Sequence, residues 1–85
     1  MRRDTQFKRD VKRLRKQGKE FEAFKRTIRR LANGERLPEE MRDHALKGVL
    51  KDCRECHIEL GWLLIYRIEG SELCRIRTGS HTETV

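Results

Sequence analysis

Trp62-Leu63-Leu64-Ile65-Tyr66-Arg67-Ile68 is the most apolar run in the chain. It is rich in β-branched and aromatic residues, and its continuous rather than alternating apolarity predicts a central strand buried on both faces. The fold is read outward from it. Glu69-Gly70-Ser71-Glu72 follows as a hairpin turn, because Gly70 tolerates positive φ, and Leu73 to Arg77 alternates as the last strand. Upstream, Glu55 to Leu60 reads as the neighbouring strand and Val49 to Arg54 as a further short one. Met41 to Gly48 has no clean period and reads as loop, after a connection Leu37-Pro38-Glu39-Glu40 in which Pro38 blocks helix continuation.

Before that point the period changes to helical. Asp4 or Thr5 offers a side-chain oxygen as N-cap, and Phe7, Val11 and Leu14 recur at helical spacing until Gly18. A second helix is expected from about Lys19, with Phe21, Phe24, Ile28 and Leu31 as its apolar stripe and Asn33-Gly34 as its end. Two helices followed by strands predict an α+β domain: helices packed on one face of a three- to four-stranded antiparallel sheet. The expected division is a basic helical hairpin over 1–36, a loop over 37–48, and the sheet with the active site over 49–85, all within one domain.

Composition bounds the partners. The 85 residues suffice for one modest core, and 41% are charged, with a formal charge of +7 and a pI near 9.8. Residues 1–36 hold 14 Lys and Arg against 5 Asp and Glu, whereas 37–85 hold 7 against 9. So one-sided an excess favours a polyanionic partner over a merely solvated face, and Lys12, Arg13, Lys25 and Arg29 are the helix residues expected to meet phosphates. No apolar stretch approaches the roughly 20 residues that span a bilayer, and Met1-Arg2-Arg3-Asp4 does not begin a signal peptide. A cytoplasmic location with reduced cysteines is the expectation.

Cys53-Arg54-Glu55-Cys56-His57 spells a haem c attachment signature, but without an export signal it is set aside. Zinc at Cys53, Cys56, His57 and Cys74 lacks a second close pair, so the cysteines read as small semi-buried thiols. The chemistry lies with the histidines. Arg77-Thr78-Gly79-Ser80-His81 places a guanidinium and an imidazole around a glycine, and His44 and His57 lie upstream. RNA can be cut without metal or cofactor when a base takes the 2′-hydroxyl proton, that oxygen attacks the phosphorus, and an acid protonates the leaving 5′-oxygen. Histidine serves either task near neutrality. Arg77 matches the phosphate's growing charge, and Trp62 offers a ring on which a base could stack.

Asp43-His44-Ala45-Leu46-Lys47-Gly48, Arg54-Glu55-Cys56-His57-Ile58-Glu59, Trp62-Leu63-Leu64-Ile65-Tyr66 and Arg77-Thr78-Gly79-Ser80-His81, in this order and spacing, resemble the YafQ branch of the RelE-like toxins of bacterial toxin–antitoxin modules. The resemblance covers essentially the whole chain. It implies a microbial RNase-like α+β fold and a ribosome-dependent mRNA endonuclease that arrests translation. It also implies a small acidic antitoxin as partner, with operator DNA met only through the antitoxin complex and no membrane. Carried over by motif, His44, His57, Arg77 and His81 fall on active-site positions, with Trp62 beside them. Arg77 is then assigned to the scissile phosphate and His81 to proton transfer as general acid. His57 and His44 share the roles of base and substrate orientation in an order left open. Lys47 and Arg54 are further substrate-binding candidates. The chain departs from the family pattern in three places. Leu60-Gly61 stands where an Asp commonly precedes the Trp, with Glu59 the nearest substitute; Val85 stands where an aromatic is common; and little chain precedes the first helix for a first strand. Two alternatives accompany this reading: a toxin-fold protein that binds antitoxin or ribosome but cleaves poorly, and an unrelated basic nucleic-acid-binding module.

Overall fold

The computed structural model describes residues 2–3, 5–48, 51–59 and 61–80. In chain order the elements are β1 (Arg2–Arg3), α1 (Thr5–Lys16), α2 (Glu22–Ala32), a 3₁₀ turn (Glu39–Met41), β2 (His44–Ala45), β3 (Arg54–Glu59), β4 (Trp62–Glu69) and β5 (Glu72–Gly79). The strands form one sheet in the order β1-β5-β4-β3-β2. Pairing is antiparallel from β2 to β5, and β1 adds to β5 in parallel through Arg2 and Arg3. The architecture is thus the α+β layer expected, with two helices on one face of a four-stranded antiparallel sheet and a two-residue strand on its margin.

Both helices stop where glycine was expected to stop them. At the end of α1 the Lys19 amide donates to the Leu14 carbonyl and the Gly18 amide to Arg15, with Gly18 at φ +76°. Glu35 to Arg30 and Gly34 to Leu31 repeat the arrangement after α2, with Gly34 at φ +72°. This paired closure satisfies the orphan carbonyls of the last turn and demands a left-handed residue. It also delays the second helix. Residues near Lys19 are spent closing α1, so α2 begins at Glu22 rather than at Lys19. Of the two N-cap expectations, Asp4 lies outside the described residues, and Thr5 is the first residue of α1 itself.

Phe7, Leu14, Phe24, Ile28 and Leu31 from the helices meet Cys56, Ile58, Trp62, Leu64, Tyr66 and Leu73 from the sheet to form the core. On the far face of β4, Leu63 and Ile65 are buried as well, so the central strand is covered on both sides. Three strand expectations are corrected. Met41 to Gly48, read as loop, contains β2, an edge strand too short to carry a period. The separate strands over 49–54 and 55–60 are one strand, Arg54–Glu59, preceded by a turn at Lys51-Asp52; Val49, Leu50 and Leu60 lie outside the described residues. The last strand runs on past Arg77 to Gly79, because a bulge lets it keep pairing.

Trp62 is the largest correction. Its ring is 0% exposed, stacked on Phe24 at 5.3 Å between centroids and met edge-on by Phe21 at 5.4 Å. Its Nε1 donates to Thr78 Oγ1 at 2.8 Å, and that hydroxyl donates to the Leu63 carbonyl at 2.8 Å. A ring so enclosed has no face for a base; it is the aromatic centre of the core. Trp62→Phe is therefore expected to lower stability by about 1–2 kcal/mol through a lost buried hydrogen bond and lost volume. Loss of a base-stacking ring would instead cost roughly 1–3 kcal/mol of RNA binding and leave the fold intact. Thermal melts beside RNA-binding titrations separate the two.

Candidate active site

Strand register brings the predicted residues together. His44 lies opposite Glu55, Glu55 opposite Ile65, and Ile65 opposite Arg77, so one row crosses the sheet from β2 to β5. The next row runs His57, Leu63, Gly79. Residues directly opposite in paired strands share a face, and Glu55 and His57, two apart on β3, share it too. His44, His57, Glu55 and the Cα of Arg77 therefore stand on the face turned away from the helices.

Arg77 reaches that face because of an irregularity. Tyr66 pairs with Arg75 but Ile65 pairs with Arg77, which leaves Ile76 as an extra residue. Arg75 is on the helix side, its guanidinium 5.5 Å over the Phe7 ring. Simple alternation would have put Arg77 there as well. The bulge inverts the sense of the strand, setting the Arg77 Cα on the histidine side and Thr78 inward to Trp62, while the Arg77 guanidinium runs to Asp10 on α1. A similar shift between His57 and Glu59 on β3 has the opposite consequence for a carboxylate. Glu59, the nearest substitute for the missing acid, faces Lys19 at 3.9 Å on the helix side. Gly61 occupies the turn at φ +78°. Glu55 is instead the carboxylate on the histidine face, hidden from sequence reading inside the C-x-x-C-H pattern.

His44 is held at both nitrogens. Nδ1 lies 2.6 Å from the Arg42 carbonyl and Nε2 3.1 Å from Glu55 Oε2. A carbonyl only accepts, so in that contact Nδ1 is the donor, and Nε2 is turned to the carboxylate. Half of the His44 side chain is exposed, while that of Glu55 is only 5% exposed. The His57 ring sits 6.3 Å from that of His44, tilted by 34°. Among the described residues the His57 imidazole makes no hydrogen bond, and its ring is half-buried.

Arg77 is organised by a residue that periodicity does not single out. Asp10 on α1 is 0% exposed. Its Oδ2 accepts from Arg77 Nε at 2.8 Å and from the Thr78 amide at 3.1 Å, and its Oδ1 accepts from Arg77 Nη2 at 3.3 Å. Gln6 and Arg13 add bonds at 3.2 Å each, and Arg13 Nη2 also donates to the Thr78 carbonyl at 3.2 Å. Burial alone would raise the Asp10 pKa. Hydrogen bonds from Arg77, Thr78 and Gln6, with the charge of Arg77, outweigh it and hold the carboxyl below its ordinary value. The two-point grip on Nε and Nη2 fixes the plane of the Arg77 guanidinium.

The other expected residues are dispersed. His81 lies outside the described residues. Lys47 is exposed, two residues beyond the end of β2. Arg54, opposite Tyr66, is on the helix side, where its Nε donates to Asp43 at 2.7 Å and it lines a cleft of about 860 Å³ with Arg36 and Arg42. Lys12, Lys25 and Arg29 are exposed on the helix layer, remote from the histidine face; of the four basic helix residues Arg13 alone joins the network at Arg77. Cys56 and His57 are successive residues pointing to opposite faces of β3, so they cannot chelate one ion together. Burial, with the charges of Asp43 and Glu55, pushes the Cys56 thiol up to about 12.

An α+β layer whose sheet rows line up two histidines with the backbone position of an arginine, on the face away from the helices, is the arrangement expected of a RelE-like toxin. The family profile described as "Bacterial toxin of type II toxin-antitoxin system, YafQ" matches residues 1–85. The mRNA interferase toxin YafQ of Escherichia coli K12 is 36% identical over 77 residues, 89% of this chain and 84% of that protein. The crystal structure of YafQ from E. coli BL21(DE3) superposes with a TM-score of 0.91 at 33% identity, covering 95% of this chain and 91% of that one. A copper-bound mutant toxin from Helicobacter pylori gives 0.93 at 35% identity, covering 98% and 94%. The E. coli DinJ–YafQ complex gives 0.88 at 34%, covering 95% and 91%. The chain belongs to the YafQ family of toxins of type II toxin–antitoxin systems.

Proposed function

We propose that this protein is an endoribonuclease that cleaves mRNA on the ribosome by acid–base attack of the 2′-hydroxyl, and that an antitoxin restrains it. The observation that carries the reading is the pair of adjacent cross-strand rows that sets His44, His57 and the Cα of Arg77 on one sheet face. His57, whose imidazole has no hydrogen bond among the described residues, takes the 2′-hydroxyl proton. The O2′–P bond forms as the P–O5′ bond breaks, and His81 supplies the proton to the departing oxygen, a role resting on the family motif. Arg77, its plane held by Asp10, matches the charge that accumulates on the phosphate. His44, engaged at both nitrogens, orients substrate and contributes positive charge when its Glu55-facing nitrogen is protonated.

Each of these steps proceeds without a metal ion in this scheme, and the relatives solved with copper or another metal make that a point to test. The relative's complex with DinJ supports an antitoxin partner here, and a ribosomal substrate places the protein in the cytoplasm. Among the described residues no helix is long and apolar enough to cross a membrane. His57→Ala is expected to slow cleavage by about 10²- to 10⁴-fold, the usual weight of a general base, with little change in melting temperature. Induced expression without antitoxin, with primer extension on cellular mRNA, reads the effect. Toxin stripped of metal with EDTA and then freed of the chelator should cleave mRNA on intact ribosomes as fast as untreated toxin. Growth arrest and mRNA cuts undiminished in the His57→Ala strain would sink the assignment.

A further inference from the structure

β2 is two residues long and lies at the outer edge of the sheet, yet it carries His44. Its backbone pairs with β3 only at His44 and Ala45, followed by one bond from the Leu46 amide to the Cys53 carbonyl at 3.0 Å. So short an edge strand has little pairing to hold it in place. The ties come from the preceding side chain. Asp43 Oδ1 accepts from Arg54 Nε on β3 at 2.7 Å, Asp43 Oδ2 accepts from the Tyr66 hydroxyl on β4, and the Asp43 carbonyl accepts from Arg54 Nη2 at 3.4 Å. One carboxylate thereby fastens the edge strand to the middle of the sheet, through a tyrosine that is itself buried in the core. Burial and the bond to Asp43 keep the Tyr66 hydroxyl protonated, so it stays a donor.

These ties lie on the helix side, while His44 faces the other way. Between them the backbone makes a left-handed step: Arg42 has φ +49°, the one non-glycine positive φ among the described residues. A conformation costing roughly 1–2 kcal/mol persists only where its surroundings enforce it. That step delivers the Arg42 carbonyl to His44 Nδ1. We propose that Asp43 is the positioning residue for His44: by clamping Arg54 and Tyr66 behind the sheet, it holds the imidazole between the Arg42 carbonyl and Glu55 in front of it. The inference rests on the function proposed above only where cleavage is the readout.

The test uses the intact chain with ¹⁵N-labelled histidine. Two-bond ¹⁵N–¹H correlation reads the protonation pattern of the His44 ring directly. Asp43→Ala should move these signals to those of a mobile, solvent-exposed imidazole, and Tyr66→Phe, which keeps the Arg54 bond, should move them part of the way. In cleavage assays Asp43→Ala should lower kcat about 10- to 100-fold with KM nearly unchanged, as expected of lost alignment. Added to His44→Ala it should cost less than about twofold more, because residues acting as a unit are not additive. Unchanged His44 signals in a folded Asp43→Ala or Tyr66→Phe chain would overturn the proposal, as would a full further loss in the double variant. If His44→Ala cleaves normally, the functional reading fails, and the ring signals still decide the positioning role.

Discussion

Replacing Asp10 by Asn is expected to cost about 3–5 kcal/mol of folding stability, the usual penalty for breaking a buried ion pair from one side, and to lower Tm by more than about 12 °C in a domain of this size. The shape is conserved, so the loss isolates the charge and its acceptors. An amide oxygen can still accept from the Thr78 amide, but the NH₂ group then opposes the donors of Arg77, Arg13 or Gln6. The sign of the pH dependence follows. The Asp10 pKa is lowered in the folded protein from its ordinary 3.8, so the unfolded chain takes up the proton first as pH falls. The contribution of Asp10 is fully present above about pH 4 and drains away as pH drops through the folded-state pKa. Urea midpoints at neutral pH and near pH 3 should therefore differ less between wild type and Asp10→Asn at the acid value. A constant gap would show that the ionised form matters little.

The second large effect is expected at Arg77. Arg77→Ala should reduce cleavage by about 10²- to 10³-fold, comparable to removing a preorganised donor from a developing anion. Arg77→Lys should recover little of it, since an ammonium cannot span both Asp10 oxygens as the Arg77 Nε and Nη2 pair does. Both variants also leave a buried carboxylate with fewer partners, so rates must be normalised to the folded fraction and taken well below Tm. Near-complete rescue by Arg77→Lys would mean that charge alone, without the fixed plane, is what the site needs.

The apolar pattern carried the layer order, both helix ends and the central strand, because each is written in local chemistry: the glycines after the helices, and the unbroken run from Trp62 to Ile68. What was not legible depends on relations between distant residues. Asp10 looks like one more charge on a basic helix until the end of β5 is brought to it. Ile76 looks like an ordinary strand residue, though as the extra one it decides which way Arg77 points. Trp62 has the chemistry of a base-stacking ring and the surroundings of a core ring, and only packing separates the two. Among the candidate residues, the motif spacings marked His44, His57 and Arg77; Glu55 went unmarked because a cysteine–histidine pattern of no shared geometry surrounds it.

The bond between Asp10 and Arg77 joins residues 67 positions apart, and that separation has a consequence in time. The meander β3-β4-β5 closes through successive hairpins of short span, whereas docking the end of β5 on α1 must close nearly the whole chain, at the larger entropic cost that long loops carry. A chain with the meander formed and α1 undocked would have its histidine row in register but its guanidinium unfixed. The fixed plane of the Arg77 guanidinium is therefore a property of the docked fold, whereas the histidine row needs the strand pairing alone.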